Sequence, residues 1–592
     1  MGQKQGFMSN WRNLNVRGII ALAIVTIALI SLIAFAAHVI IYKSKESSPK
    51  PAPITPATTP AIAAANRYFE KTCIGQENAV ITQHNDNNRS GANLNEVILN
   101  TSNVNPNRFG KLFTRRVDGQ IYAQPLYLCN VNISGVHNVI YVATMHNTVY
   151  AFDADDPNSS RPLWIAHLGS SIPLPDPNIG PQGNFVDITI EVGIVSTPYV
   201  STENNAIYVV STNKDPNISD TGAYSHWLHA LDISTGAEKP GGPVKISASY
   251  PGNGDGNVNG IINFTSNRQL QRSALLLSRG MIYVAFASYD DATPAHGWIM
   301  AYDASTLNQT AVYVTTPDDV PGIRQMPGLG TIWQGGQGPA ADSSGNIYFI
   351  TGNGDFNGFS NPMPRDLGDS IVRLTPDLKL ADWFSPFNNN NLSMNDMDLG
   401  SGGALLIPGT NLLTGGGKEA KLYLIDRNNM GHFNPYNDNQ TVQPPISVIN
   451  GSDPEGDHWL TGGPVYWNSP NGSLVFVSPT MASVKAYRLA GGVFQNAAPI
   501  STSHVVLAGS GGWMSLSANG SVPGTGILWV SEPNILHAFD ASNLQSELWN
   551  SGMNPTRDDL GEAAKFCPPT IANGKVYMAT FSGYLAVYGL SS

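Results

Sequence analysis

The stretch VIYVATMHNTVYAFDA at residues 139–154 sets the pattern for most of the chain. Two short segments alternate β-branched or aromatic residues with small ones, which predicts two neighbouring strands of a half-buried sheet. The second segment ends in an aromatic residue followed by Asp-Ala. Aspartate favours a turn at this point because its side chain accepts local backbone hydrogen bonds. We take this strand pair as a repeating unit.

The same unit recurs seven more times, at a mean spacing of about 62 residues. Its first strands are predicted at 139–144, 206–212, 281–288, 346–352, 412–417, 473–479, 527–532 and 576–581, and its second strands at 148–154, 227–233, 298–304, 370–376, 421–427, 483–489, 535–541 and 584–590. Trp164, Trp383 and Trp549 fall in short outer strands, where a large ring can fill the gap between sheets. A single four-stranded sheet cannot bury both of its faces, so the units are expected to stack radially.

The two ends of the repeat region decide how many blades form. The last unit has only three strands before the chain stops at Ser592, and GKLFTRRV at 110–117 is left over upstream of the first unit. Pairing that segment with the last sheet completes it and removes an exposed edge. The sequence therefore predicts an all-β, eight-bladed β-propeller; a seven-bladed ring with one stray repeat is the alternative.

Composition excludes two classes of protein. The net charge is −11 and only 13% of residues are charged, with no dense Lys/Arg cluster beyond the N-terminus, so a nucleic-acid-binding surface is not expected. Three separated cysteines (Cys73, Cys129 and Cys567) argue against a zinc site or a disulfide scaffold and allow at most one bridge.

The N-terminal region predicts a membrane anchor. Residues 18–42 are 25 residues without an acid, Lys or Arg, which is long enough to span a bilayer. A cleavable signal peptide is the alternative, because Ala34-Phe35-Ala36 fits a cleavage site. We expect a cytoplasmic tail at 1–17, a single-pass anchor in the cytoplasmic membrane, a Pro/Ala/Thr-rich linker at 43–79, and a propeller at 80–592 on the periplasmic or extracellular side.

Several segments resemble the quinoprotein alcohol dehydrogenase superfamily, over roughly residues 80–592. These are NRSGANLNEVILNTSNVNPNRFGKLF (88–113), IWQGGQGPAADSSGNIYFITGNGDFNG (332–358), NDMDLGSGGALLI (395–407) and GGGKEAKLYLIDR (415–427). The resemblance implies a PQQ-like propeller with calcium and pyrroloquinoline quinone as possible cofactors.

Carried over by position, the resemblance assigns roles to individual residues. Asn353 and the acids Glu191, Asp396 and Asp398 become candidate calcium ligands; Asp396 or Asp398 becomes the catalytic base; Lys418 contacts the quinone, with Trp333 nearby. Such a set is chemically consistent, because calcium prefers oxygen ligands, a bound cation polarises a carbonyl, and a carboxylate can take the proton of an alcohol.

Each assignment has a structural alternative. Asn353 suits a left-handed turn, Asp396 and Asp398 suit a solvated loop, Lys418 suits the surface, and Glu191 suits an interblade ion pair. Two departures also weaken the quinone site. Dehydrogenases of the family that the chain resembles stack the planar quinone between an aromatic floor and a ring made by two adjacent linked cysteines. This chain has no adjacent cysteine pair, and the position of the floor, at 334–338 (QGGQG), has no aromatic ring. We therefore expect a ligand- or protein-binding envelope module, with a divergent quinone- and calcium-dependent alcohol or sugar dehydrogenase as the alternative.

Overall fold

Eight β-sheets stack around one axis. The structure is a computed structural model and describes residues 78–318, 327–449, 453–454, 456–509 and 511–591. Each blade is a four-stranded antiparallel sheet. The innermost strands of blades 2 to 5 follow one another side by side, as do those of blades 6, 7, 8 and 1. The predicted eight-bladed all-β propeller is confirmed.

The strands, from inner to outer, are as follows. Blade 1 is Leu126–Asn132, Val136–Ala143, Thr148–Asp153 and Trp164–His167; blade 2 is Tyr199–Ser201, Ala206–Lys214, Tyr224–Asp232 and Val244–Lys245; blade 3 is Leu276–Ser278, Met281–Ser288, Trp298–Asp303 and Gln309–Val314; blade 4 is Ala340–Ala341, Ile347–Ile350, Ile371–Leu374 and Leu380–Phe384. Blade 5 is Leu405–Leu406, Leu412–Gly415, Lys421–Asp426 and Ile446–Ser447; blade 6 is Val465–Ser469, Gly472–Val477, Ser483–Ala490 and Ser501–Val506; blade 7 is Trp513–Ser517, Ile527–Glu532, Ile535–Asp540 and Glu547–Asn550; blade 8 is Thr570–Ala572, Lys575–Met578, Tyr584–Leu590 and Phe109–Arg116.

Short elements complete the described chain. The additional strands are Ala92–Asn93, Ile172–Pro173, Glu191–Val192, Ser249–Pro251, Ile261–Asn263, Gln269–Leu270 and Val493–Phe494. The α-helices are Asn389–Met394 and Pro555–Asp558, and the 3₁₀ turns are Pro181–Gly183, Thr221–Ala223, Gln334–Gly336, Leu399–Ser401 and Ser551–Met553. Every one of the sixteen predicted segments overlaps an observed strand.

The ring closes as the sequence predicts. Phe109–Arg116 pairs antiparallel with Tyr584–Leu590, so that Phe109 lies opposite Leu590 and Arg116 opposite Tyr584. Phe109 is fully buried against the rings of Trp529 and Trp549, at 5.3 and 4.9 Å between ring centroids. The seven-bladed alternative is wrong, because the upstream strand is the fourth strand of blade 8.

Residues 80–93, here called the channel segment, connect all eight blades, which the sequence did not predict. Its hydrogen bonds to the innermost strands are Val80–Tyr127 (blade 1), Ile81–Val200 (blade 2), Asn87–Leu277 (blade 3), Asn87–Ala341 (blade 4), Asn88–Leu406 (blade 5), Ser90–Tyr466 (blade 6), Gly91–Leu516 (blade 7) and Asn93–Ile571 (blade 8). Six of these bonds join backbone groups, and the side-chain amides of Asn87 and Asn93 donate the bonds to the carbonyls of Leu277 and Ile571. The segment therefore fills the channel at the level of the inner strands.

Of the predictions about the cysteines and the membrane anchor, only the first can be compared with the structure. Cys129 is disulfide-bonded, whereas Cys567 is a free and buried thiol. The predicted anchor at 18–42 lies outside the described residues and stays a prediction. Among the residues that are described, no helix is both long and apolar enough to cross a bilayer.

Candidate functional site

The candidate residues lie on loops at one end of the ring. In every blade, the loop that enters the inner strand and the loop that leaves the second strand emerge at the same end, because successive strands are antiparallel. Glu191, Trp333, Asp396 and Asp398 are on loops of the first kind, and Asn353 and Lys418 are on loops of the second kind. The fold therefore places all six at the same end.

Four of the six residues form a hydrogen-bonded group, the lysine–aspartate cluster (Asn353, Asp396, Asp398 and Lys418). Lys418 Nζ lies 2.8 Å from Asp396 Oδ1 and 2.7 Å from Asp398 Oδ2. Asn353 donates its side-chain amide to Asp396 Oδ1 at 2.8 Å and its backbone N–H to Asp398 Oδ1 at 2.8 Å. Loops of blades 4 and 5 are thus joined through one ammonium group and one amide.

Burial within the cluster increases from Asp396 inward. The Asp396 side chain is 71% exposed, whereas those of Lys418 and Asp398 are 12% and 8% exposed. Burial alone would lower the pKa of Lys418, but the charges of Asp398 and Asp396 outweigh burial and raise that pKa above its ordinary value. Lys418 is therefore a permanent cation held by an inner and an outer carboxylate.

Additional acids surround the cluster, and the sequence analysis did not select them. Burial and the charge of Asp398 raise the pKa of Asp291 to about 7, and the Ser288 hydroxyl donates to its carboxylate at 3.0 Å. Burial, Asp187 and Asp396 also raise the pKa of the neighbouring Asp290. Carboxylates from blades 2, 3 and 5 therefore repel one another across a single site, which has more acids than lysines.

Glu191 makes other contacts. His146 Nδ1 lies 3.0 Å from Glu191 Oε2, and the Ser171 hydroxyl donates to the same oxygen. Glu191 belongs to the short strand Glu191–Val192, which pairs with Ile172–Pro173. It makes no hydrogen bond or ion pair with the lysine–aspartate cluster, so its observed role is to join the loop that enters blade 2 to blade 1.

An aromatic group lies beside the cluster. The ring of Phe566 meets the rings of Trp333 and Trp513 edge-on, at centroid distances of 6.0 and 5.6 Å. The guanidinium carbon of Arg272 lies 4.5 Å from the Phe566 ring centroid and 5.4 Å from that of Tyr122. We call Tyr122, Arg272, Trp333, Trp513 and Phe566 the aromatic group.

Trp333 links the two groups. A methyl group added at Gly352 would lie 3.2 Å from Trp333 Nε1 and would collide with Asp398 Oδ1. The indole edge and the inner carboxylate therefore approach the same point, and glycine at 352 is what permits it. The cluster and the aromatic group form one continuous site on the loops of six blades.

Comparisons with solved structures identify the fold. Quinohemoprotein alcohol dehydrogenase of Comamonas testosteroni is 14% identical with a TM-score of 0.53, covering 87% of this chain and 81% of that one. Quinohemoprotein alcohol dehydrogenase of Pseudomonas putida HK5 is 14% identical with a TM-score of 0.52, covering 87% and 80%. A europium-containing methanol dehydrogenase is 13% identical with a TM-score of 0.53, covering 87% and 99%.

The chain has the quinoprotein alcohol dehydrogenase fold. At this level of identity the likeness concerns the fold alone, and the site must be judged on its own geometry. No family model and no curated protein matches the sequence.

The calcium site that the quinoprotein resemblance implies does not fit the residues present. Lys418 takes oxygens of both Asp396 and Asp398, so a divalent cation would lie against an ammonium group. Of the predicted ligands only Asn353 offers a buried oxygen, Oδ1, without a hydrogen-bond partner. Within the described residues, no three His, Cys, Asp or Glu side chains are grouped to hold a metal ion.

The aromatic floor that the resemblance implies for a planar quinone does not fit the residues present either. A side chain at Gly335 would collide with the Thr461 carbonyl, and one at Gly338 would collide with the guanidinium of Arg89. This part of the quinoprotein-like propeller packs backbone against its neighbours and has no room for an aromatic ring. Trp333, the nearest indole, meets Phe566 edge-on instead.

A second depression lies at the rim, away from the axis. This cleft of about 710 Å³ lies between the outer strands of blades 1 and 2 and is lined by Trp227, His229 and Glu238 among others. Its main polar groups already satisfy one another, since His229 contacts Glu238 at 2.7 Å and the Ser211 hydroxyl at 3.1 Å. The axial site, by contrast, keeps the buried atoms Asn353 Oδ1 and Trp513 Nε1 without hydrogen-bond partners among the described residues, and we take it as the functional one.

A simple sequence signal could have found the missed acids. Asp290 and Asp291 follow the second strand of blade 3, just as Asn353 follows that of blade 4 and Lys418 follows that of blade 5. Polar residues directly after a second strand therefore point to the site, whatever the blade. Arg272 and Phe566 had no comparable signal, because each is a single residue in a loop without a motif.

Proposed function

We propose that this propeller binds a polar small molecule at the end of its axis and acts as a binding module of the cell envelope. The observation that supports this is the convergence of charged, amide and aromatic side chains from six blades on one site. Small-molecule sites combine aromatic surface with a few convergent polar groups, and both are present.

The chemistry of the cluster favours a ligand with hydroxyl or amino groups. Exposed Asp396 offers acceptor oxygens at the mouth, and a cationic or hydroxyl donor would relieve the repulsion among Asp290, Asp291 and Asp398. Lys418 and Asn353 hold the carboxylates in fixed positions, so little side-chain freedom is lost on binding. The site is therefore organised in advance for polar contacts.

Melting temperatures of the purified protein in panels of polyols, sugars and amines test the binding function. A true ligand at 100 times its Kd adds about 2.7 kcal/mol of stability, a shift of several degrees. We expect Lys418→Met to abolish the shift. The matched control is Lys379→Met, which breaks the exposed Lys379–Asp377 pair (2.7 Å) far from the site and should leave the shift unchanged. A shift that survives Lys418→Met would refute this site.

A second candidate function is that of a divergent alcohol or sugar dehydrogenase. The convergence of Asn353, Asp396 and Lys418 favours it, because these three carry its assigned roles, and Asn353 Nδ2 and Lys418 Nζ each lie 2.8 Å from Asp396 Oδ1. The lack of a fitting calcium or quinone site counts against it. An assay of dye-linked alcohol oxidation with added calcium and pyrroloquinoline quinone distinguishes the two functions. Turnover by the wild type that disappears in Asp396→Ala would show that the protein is a dehydrogenase and would refute the binding module.

We also propose that residues 18–42 anchor the chain in the cytoplasmic membrane, with 43–79 as a linker and the propeller from residue 80 on the outer side. The apolar run and the Pro/Ala/Thr-rich segment that follows it support this arrangement. An envelope protein would then be a second type of partner. Protease treatment of spheroplasts should cleave the linker at 43–79 and release the propeller, while the tail at 1–17 stays with the cells; a full-length chain that is cleaved only after the cells are lysed would exclude the topology.

A further inference from the structure

Among the described residues, Arg272 is a buried cation without a direct ion-pair partner. It is 7% exposed, and within the described residues it makes no ion pair and no hydrogen bond. Its side chain packs against the rings of Tyr122 and Phe566, and the charge of Asp187, which Lys565 contacts at 3.6 Å, only partly offsets its burial. A guanidinium stays charged in proteins and has five N–H donors, so burial without an acceptor is unfavourable.

Arg89, in the channel segment, is also deeply buried, but its donors have acceptors. Arg89 is fully buried and makes five hydrogen bonds, to the Thr82 hydroxyl and to the carbonyls of Gln83, Leu275 and Pro339, the last through two nitrogens. All three side-chain nitrogens of Arg89 therefore find acceptors within the chain. The donors of Arg272 have no acceptor among the described residues and are available to an acceptor from outside the chain.

A second unpartnered donor lies across the same ring. Trp513 is 3% exposed, and its Nε1 is buried without a hydrogen-bond partner. Lys565 Nζ lies 5.0 Å from the Phe566 ring centroid and 3.6 Å from Asp187. Side chains from blades 3, 7 and 8 that carry N–H donors thus lie around Phe566.

We propose that Arg272, Trp513 and Lys565 bind an anionic group of the ligand, a carboxylate or a phosphate. The guanidinium fork matches either group in a bidentate contact, and the indole N–H and the ammonium supply the remaining donors. This inference rests on the proposed binding function and names its ligand class. The molecule carries one anionic group toward Arg272 and hydroxyl or amino groups toward the lysine–aspartate cluster, which would repel a second anion.

Calorimetric titration of the purified full chain with three matched probes tests the proposal. Glycerol, glycerate and glycerol 3-phosphate share one skeleton and carry no anion, a carboxylate and a phosphate. We expect at least one anionic probe to bind tenfold or more tightly than glycerol, and the stronger of the two identifies the anion. Arg272→Gln should abolish this preference. Trp513→Phe, which keeps a ring and removes only the N–H, should reduce it.

Stability in the absence of ligand separates a binding arginine from a structural one. Arg272→Gln should keep or raise the melting temperature, because an unpaired buried charge is removed, whereas Arg89→Gln should lower it. A lower melting temperature for Arg272→Gln, with no preference for anions in the wild type, would show that Arg272 serves only to pack against the rings of Tyr122 and Phe566, and would overturn the proposal. Glycerol binding that depends on Lys418 without any anion preference would refute the anion site alone. Failure of all three probes to bind would count against both this proposal and the axial binding site.

Discussion

Individual buried histidines make stability depend on pH. His226 is fully buried; its Nε2 donates to the Gln269 carbonyl at 2.8 Å, and the Thr212 hydroxyl lies 3.1 Å from its Nδ1. Burial lowers the pKa of His226, and likewise that of His84, to about 4. The unfolded chain takes up these protons near pH 6.5 while the folded chain does not, so both residues favour unfolding as the pH falls from 6.5 toward 4.

We expect His226→Gln to weaken this acid destabilisation. Glutamine can still donate to the Gln269 carbonyl but does not titrate, so the loss of unfolding free energy between pH 7 and pH 4.5 should shrink by about 2 kcal/mol. Urea unfolding at the two pH values measures the difference. Between pH 8 and pH 9 the imidazole of residue 226 is neutral in both the folded and the unfolded chain, so wild type and His226→Gln should change equally there, which is the control. Equal losses in wild type and His226→Gln would contradict the prediction.

Single residues also mark the limit of what sequence could predict about the site. Asn353, Asp396 and Lys418 were selected by position within recognisable segments, and these three lie in hydrogen-bond contact. Arg272 and Phe566 were not selected, because their importance arises from contacts between loops of different blades. Such contacts depend on ring geometry, which a one-dimensional pattern does not contain.

At the element scale, strand pairs were predictable and the channel segment was not. Each strand pair is local: its two strands are joined by a short loop, and alternation of apolar and small residues identifies them. The closing strand could be inferred by counting, because the last blade had only three predicted strands and the strand upstream of the first blade had no partner. The channel segment has no periodicity, and its partners lie up to 478 positions away, as for Asn93 and Ile571.

Removing the ring of Phe109 should destabilise the closure between the first and last strands. Phe109→Ala leaves a cavity between Trp529 and Trp549, which we expect to cost about 3–5 kcal/mol of unfolding free energy. Guanidinium unfolding followed by circular dichroism measures the difference in unfolding free energy. Phe387→Ala, at a position 40% exposed, is the matched control and should cost less than about 1 kcal/mol. Similar costs for the two variants would mean that closure contributes little.

At the scale of the whole molecule, the channel segment gives the repeat ring a common centre. Blades contact only their neighbours, so a propeller without a hub is stabilised mainly by nearest-neighbour interfaces. Here every innermost strand also bonds to residues 80–93, and Glu96 adds hydrogen bonds to the backbone N–H groups of Ile98, Leu99 and Gly574. The same segment underlies the axial site, because Arg89 packs against Gly338 beneath the loop that carries Trp333.

The fold should therefore depend on this segment more than on any one blade edge. We expect a chain beginning at residue 69 to fold and unfold in one cooperative transition. A chain beginning at residue 100 keeps all four strands of blade 8 but loses the bonds to all eight inner strands. Each lost bond leaves a buried backbone group unsatisfied, at about 1–3 kcal/mol each, which exceeds the stability of a typical domain when summed over the ring. Circular dichroism and limited proteolysis compare the two chains. A cooperative, protease-resistant chain from residue 100 would show that the ring holds without its hub, and the axial site would then rest on the blades alone.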